Sequence, residues 1–256
     1  MNKKNKKHSP LKSSPLRQAG QSLDEKIENI FNDKIYLYIT YILVFILIAL
    51  IEWSKWYFNT PPQPLFWTLL AVIVCIYFVR KILGYVKEIK NYQLGRDGEM
   101  IVGESLDKLR EKGYKVYHDI IGKGFNIDHI LVGPSGVFTI ETKTISKKGN
   151  QKIFYDGVNI KIDGLPFSRN PITQAKNQKY WLENFIFEHT KIKIKIKPVV
   201  IYPGWFIEGK SRNVEVWVLN EKAFPDFLKN EKAVLSAEQV NIIASHIENY
   251  NRRKDK

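Results

Sequence analysis

Two uncharged runs near the N-terminus constrain this chain more than any other feature. Residues 35–51 form a run of 17 without a charge, bounded by Lys34 and Glu52, and residues 59–79 form a run of 21 that ends at Arg80. At about 1.5 Å per residue, helices of this length cover most or all of a hydrocarbon core about 30 Å thick. A core helix of a soluble domain carries a polar stripe, and neither run has one. Trp53, Trp56, Tyr57 and Trp67 lie near the ends that face the connecting loop, as interfacial aromatic residues do. Arg80 and Lys81 close the second run and can extend their charged heads to lipid headgroups. Cys75 inside it is a small apolar filler. The expected architecture is a transmembrane hairpin over residues 35–86, with helices at about 35–52 and 62–82. A signal peptide fits poorly, because a long polar segment precedes the first run and a second run follows at once.

Charge divides the rest. The 256 residues contain 40 Lys and Arg against 26 Asp and Glu, a formal net charge of +14. Residues 1–34 hold 8 basic and 4 acidic residues, residues 35–86 hold 3 and 1, and residues 87–256 hold 29 and 21. Excess positive charge is therefore spread along the chain, which points to a polyanionic partner: nucleic acid, an anionic membrane face, or both. Residues 1–34 read as a basic, largely disordered arm. The loop between the runs carries only Lys55 as a base, so the positive-inside rule places both termini in the cytoplasm of a multi-pass protein of a bacterial cell membrane. One cysteine excludes a disulfide framework and a cysteine zinc site, and the five histidines show no H-E-x-x-H pair.

Beyond the hairpin, residues 92–220 read as an α/β domain with a mixed sheet flanked by helices, followed by a helical extension over 221–256. A helix is expected over 92–112, where Val102, Leu106 and Leu109 share one face. Strands are expected over 115–121, 126–132 and 137–144, with further short strands between 152 and 162. Pro171 opens a helix that runs to about 189. The alternating Ile and Lys residues of 191–202 predict a strand, as does 214–219, and helices are expected over 223–229 and 236–251.

Three polar residues interrupt an otherwise apolar strand pair: Asp128, Glu141 and Lys143. Alternation sends Glu141 and Lys143 to the same side. The turn at Gly133, Pro134, Ser135 and Gly136 folds the Asp128 strand back beside them. Two carboxylates and a lysine then converge, a grouping suited to metal-assisted phosphodiester hydrolysis: hard oxygens bind Mg²⁺, and an ammonium stabilises developing negative charge. Glu99 falls three residues before Val102, on the apolar stripe of its helix.

These residues stand in an ordered set. Gly95-Arg96-Asp97-Gly98-Glu99 is followed by Asn126-Ile127-Asp128-His129-Ile130-Leu131-Val132-Gly133-Pro134, then Gly136-Val137-Phe138-Thr139-Ile140-Glu141-Thr142-Lys143, then Asn170-Pro171 with Gln174. The stretch 95–187 resembles the NERD (nuclease-related) domain, a branch of the PD-(D/E)xK nuclease superfamily. The resemblance implies a restriction-endonuclease-like mixed sheet flanked by helices. It implies Asp128, Glu141 and Glu99 as ligands to Mg²⁺ or Mn²⁺, Lys143 as the catalytic lysine, and Gln174 as a supporting polar residue. DNA is the implied substrate, and a homodimer is kept open because many superfamily nucleases are dimers.

Other residues compete for roles. Lys147, Lys148 and Lys152 follow the catalytic strand and are candidates to hold a phosphate backbone. Lys191, Lys193, Lys195 and Lys197 would share one strand face, for phosphate contact or for edge protection. Trp205, Phe206 and Trp217 are expected in the core more than on a base. His129 and the His118-Asp119 pair read as structural, and Gln178 as part of a solvated helix face. Two further function classes stay beside the nuclease: a weakly active or inactive nucleic-acid-binding module, and a protein whose basic face binds anionic lipid.

Overall fold

A computed structural model describes residues 16–58, 63–122, 124–147, 149, 151–166, 170–210 and 213–254. They divide into two compact units. One spans Ser22–Arg96; the other joins the described residues up to Gln21 with those from Asp97 onward.

In the first unit, helix α1 (Gln21–Ile30) passes through a π-helical segment (Phe31–Ile35) into α2 (Tyr36–Tyr57). Helix α3 (Pro64–Asp107) is 44 residues long. Both helical stretches are candidate membrane spans. Their most apolar windows are only 17% and 6% buried inside the protein, whereas a core helix would be mostly covered. Tyr38 stacks on Phe78 with ring centroids 5.1 Å apart, and the Trp53 indole N–H donates to Thr68 Oγ1 at 3.0 Å. The sequence suggested separate helices before 82 and after 92, but α3 is continuous. No proline falls between 82 and 92, and Gly84, the one glycine there, costs only about 1 kcal/mol.

In the second unit, α3 ends at a 3₁₀ turn (Arg110–Lys112) and Gly113, at φ +83°, leads into the sheet. Strands β1 (Lys115–Ile121), β2 (Asn126–Gly133) and β3 (Gly136–Thr142) form an antiparallel meander. Helix α4 (Pro171–Thr190) then crosses to β7 (Lys197–Ile201), parallel to β3, and β9 (Trp217–Leu219) lies parallel to β7. The order is β1-β2-β3-β7-β9. Between β3 and α4 come β4 (Ile153–Tyr155), β5 (Ile160–Ile162) and β6 (Leu165–Pro166), which with β8 (Ile207–Gly209) make a smaller sheet. Helices α5 (Phe224–Lys229) and α6 (Ala237–Lys254) complete the chain.

Alternation along the strands explains the layers. Val116, Leu131, Phe138 and Ile140 pack on Val102 and Leu106 of α3 and on Leu109 just past its end. Ile130, Val132 and Val137 face the other way, onto Leu182 and Ile186 of α4 and Ile243 and Ile247 of α6. Each such side chain, fully buried, contributes about 1.5–3 kcal/mol. Asn170 caps α4 by accepting from the Ile172 N–H at 3.0 Å, with Pro171 in the first turn.

Two expectations need correction. Residues 191–196 form no strand: Lys191 ends α4 in a left-handed conformation at φ +59°, and pairing begins only at Lys197. The row of four lysines on one strand face therefore does not exist. Residues 16–21, assigned to the disordered arm, are packed instead; Arg17 is 5% exposed.

Candidate active site

Strand register builds the site. His118 pairs with His129 and Ile120 with Ile127, which sets Asp119 opposite Asp128. His129 pairs with Ile140, which sets Asp128 opposite Glu141. Three carboxylates thus form a row across β1, β2 and β3, and all three are buried, at 0%, 8% and 2% exposure.

Each is held differently. The Thr142 N–H donates to Asp128 Oδ2 at 2.7 Å. Lys143 Nζ donates to Glu141 Oε1 at 2.5 Å and to Gln174 Oε1 at 3.0 Å. Gln178 Nε2 donates to Glu141 Oε2 at 2.5 Å and to the Asn126 carbonyl at 2.9 Å. Asp119, at φ +52°, pairs with Arg17 Nε at 2.7 Å and accepts from Asn126 Nδ2.

Glu99 completes the cluster from α3. A Cβ at Gly98 would lie 1.8 Å from Thr144 Oγ1, so only glycine lets the helix approach the chain just past Lys143. Glu99 is 9% exposed, and its Oε2 is buried without a hydrogen-bond partner among the described residues. Burial, then repulsion from Asp119 and Glu141, pushes its carboxyl up to about 7, against the Gly20 N–H and Lys143. Asp128 is raised well above the usual carboxylate range, first by burial and then by Glu141 and Glu99.

The donor set suits a hard divalent cation. It consists of carboxylate oxygens, the Glu99 oxygen lacks a partner, and the charges repel one another. As the side chains are placed, no three Asp, Glu, His or Cys residues among those described are gathered to hold a metal ion. Both Glu141 oxygens are engaged by Lys143 and Gln178.

The structure therefore brings Asp128, Glu141, Lys143, Gln174 and Glu99 together. It also brings in two residues that the sequence reading keeps out of the site. Gln178, expected on a solvated face, is 2% exposed and bonded to Glu141; its spacing of i+4 from Gln174 was the available signal. Asp119 joins through its strand register, and its cation lies 102 residues away. Two of the three lysine candidates have partners outside the carboxylate row. Lys147 Nζ sits over the Trp205 ring at 5.5 Å, and Lys152 Nζ pairs with Glu208 at 2.5 Å. Lys148 lies outside the described residues. Trp205 and Trp217 are core residues, each 3% exposed, while Phe206 is exposed.

A mixed sheet flanked by helices, with carboxylates on adjacent strands and a lysine just past the end of one of them, defines a nuclease-like α/β fold. Residues 94–203 match the family model of the nuclease-related domain, so this stretch is a NERD domain. Over 54 residues the chain is 41% identical to an uncharacterized protein of Bacillus anthracis, covering 19% of this chain and 26% of that protein. The match thus spans about a quarter of that relative's length. No solved structure matches the chain. The domain assignment supports a nuclease-like or nucleic-acid-related role.

Proposed function

We propose that this is a membrane-anchored, cytoplasm-facing phosphodiesterase that hydrolyses nucleic acid, with DNA the first substrate to test and Mg²⁺ or Mn²⁺ the cofactor. One observation carries the reading: the Lys143 ammonium is fixed between Glu141 and Gln174, beside a buried row of carboxylates of which Asp119 has its own cation in Arg17. Asp128, Glu141 and Glu99 would hold the cation. A bound divalent cation supplies Lewis acidity toward a phosphoryl oxygen and acidifies water. Lys143 orients the attacking water or stabilises the charge that builds on the phosphoryl oxygens. Gln174 fixes the lysine, and Gln178 fixes Glu141. Lys147 and Lys152 would lie along the phosphate backbone. The two apolar helices would anchor the domain, and the basic flanks would keep both termini on the cytoplasmic side.

A second reading, a nucleic-acid-binding module with little catalysis, is favoured by the engagement of both Glu141 oxygens. Cleavage of linear, circular and single-stranded DNA by the full chain in detergent, with Mg²⁺, Mn²⁺ or EDTA, separates them. Metal-dependent cutting lost in Glu141→Gln and Lys143→Ala is the expected result. Salt-sensitive DNA binding without cutting by folded, metal-supplied protein selects the binding module.

A further inference from the structure

A cavity of about 620 Å³ opens beside the Lys143–Glu141 pair, lined by Phe125, Asn170, Thr173, Gln174, Asn177 and Gln178. We infer that it receives a single nucleobase, and that the domain therefore prefers an unpaired strand to a duplex. The inference rests on the phosphodiesterase reading and specifies its substrate.

The cavity is within the size range of small-molecule sites. Two of its walls belong to the site: Gln174 accepts from Lys143, and Gln178 donates to Glu141. A ligand seated there is one side chain away from both. None of the six lining residues carries a charge, so the cavity suits a neutral ring and not a second phosphate. Its amides offer donors and acceptors together, as base edges require. Gln178 Oε1 is buried without a hydrogen-bond partner among the described residues, an acceptor suited to an amino or ring N–H.

Phe125 supplies the stacking surface. Its ring tip lies over Gly122, where a Cβ would come within 2.3 Å, and its centroid is 5.2 Å from Trp181 at 73°. The ring is therefore fixed from two sides. A base within a duplex has both faces stacked and its pairing edge occupied, so only an unpaired or extruded base can enter.

The test is binding of the full chain in detergent, with EDTA present, to a short fluorescent single strand. The same strand made abasic and the same sequence as duplex serve as comparisons. The intact single strand is expected to bind about ten-fold or more tightly than either, with Phe125→Ala removing about ten-fold of that affinity. Asn177→Ala, at an exposed position, should alter the preference among the four homopolymers while leaving the melting temperature unchanged. Equal binding of single strand and duplex, unaltered in both variants, overturns the inference. Cleavage of duplex still lost in Lys143→Ala would then leave the phosphodiesterase standing. Failure to bind or cut any nucleic acid removes both readings.

Discussion

Two polar clusters are buried on the two sides of the same three strands, and they resolve their burial in opposite ways. Adjacent residues supply them: His118 and Asp119, His129 and Asp128, Thr142 and Glu141. On one side, His118 Nδ1 and His129 Nδ1 share a hydrogen bond at 2.9 Å, His129 Nε2 meets Thr142 Oγ1 at 3.3 Å, and His118 Nε2 meets Asp107 Oδ1 at 3.3 Å. Burial lowers both imidazoles, so these groups lose their charge and satisfy one another. On the other side, burial raises Glu99 and Asp128, and Glu99 keeps an oxygen without a partner. A buried polar group that is satisfied within the fold serves the fold. One left open has a bonding capacity that a ligand from outside can fill.

The largest break in this comparison comes from chemistry. Glu141→Gln or Lys143→Ala is expected to lower metal-dependent DNA cleavage by about a hundred-fold or more, while His118→Gln changes it little in the same gel assay. Next in size is Arg17→Ala. It removes the cation from Asp119, whose side chain is 0% exposed, and is expected to cost about 3 kcal/mol in denaturant unfolding. The double variant with Asp119→Asn should recover most of that loss. Glu99→Gln sharpens the contrast in the other direction. The folded carboxyl, at about 7, binds protons more readily than the unfolded one, so stability falls as pH rises through the window from 4.5 to about 7. In EDTA at alkaline pH the variant should be more stable by on the order of 2 kcal/mol, and the gain should vanish below the unfolded value.

The histidine side carries the opposite sign. Its folded imidazoles are harder to protonate than the unfolded ones, so their contribution is present above about 6.5 and is lost as pH falls below it. His118→Gln combined with His129→Gln should flatten the acid limb of the melting curve by about 1 kcal/mol. The smallest effect belongs to Lys152→Ala. Glu208 already neutralises this lysine, so the salt slope of DNA binding should fall by about one or less.

The pattern of what was legible follows from the range of the interactions. The strand at Lys115–Ile121 and helix α4 are written locally, in alternation and in an Asn-Pro start. Asp128, Glu141 and Lys143 were legible because one turn and a period of two bring them together. The alternation of residues 191–196 is real, since Ile196 is buried and Ile192 and Ile194 pack on the core, but alternation reports facing and not pairing. There the Ile196 N–H goes to Glu183 Oε1 at 2.8 Å instead of to a neighbouring strand. Gln178 was misjudged because a helix with little amphipathic contrast does not announce which polar residue points inward. Asp119 reads as structural from sequence because nothing near it reveals a guanidinium from before the first apolar run.

That guanidinium has a topological consequence. Arg17 and Asp119 lie 102 positions apart and touch, one ahead of both apolar helices and the other behind them. No bilayer can pass between two side chains in contact. In a chain threaded through a membrane by those helices, the number of crossings between the two residues must therefore be even, whatever the loop charges favour. A chain inserted by one helix alone would strand Arg17 across the lipid from its carboxylate, so completing this fold certifies that insertion was correct.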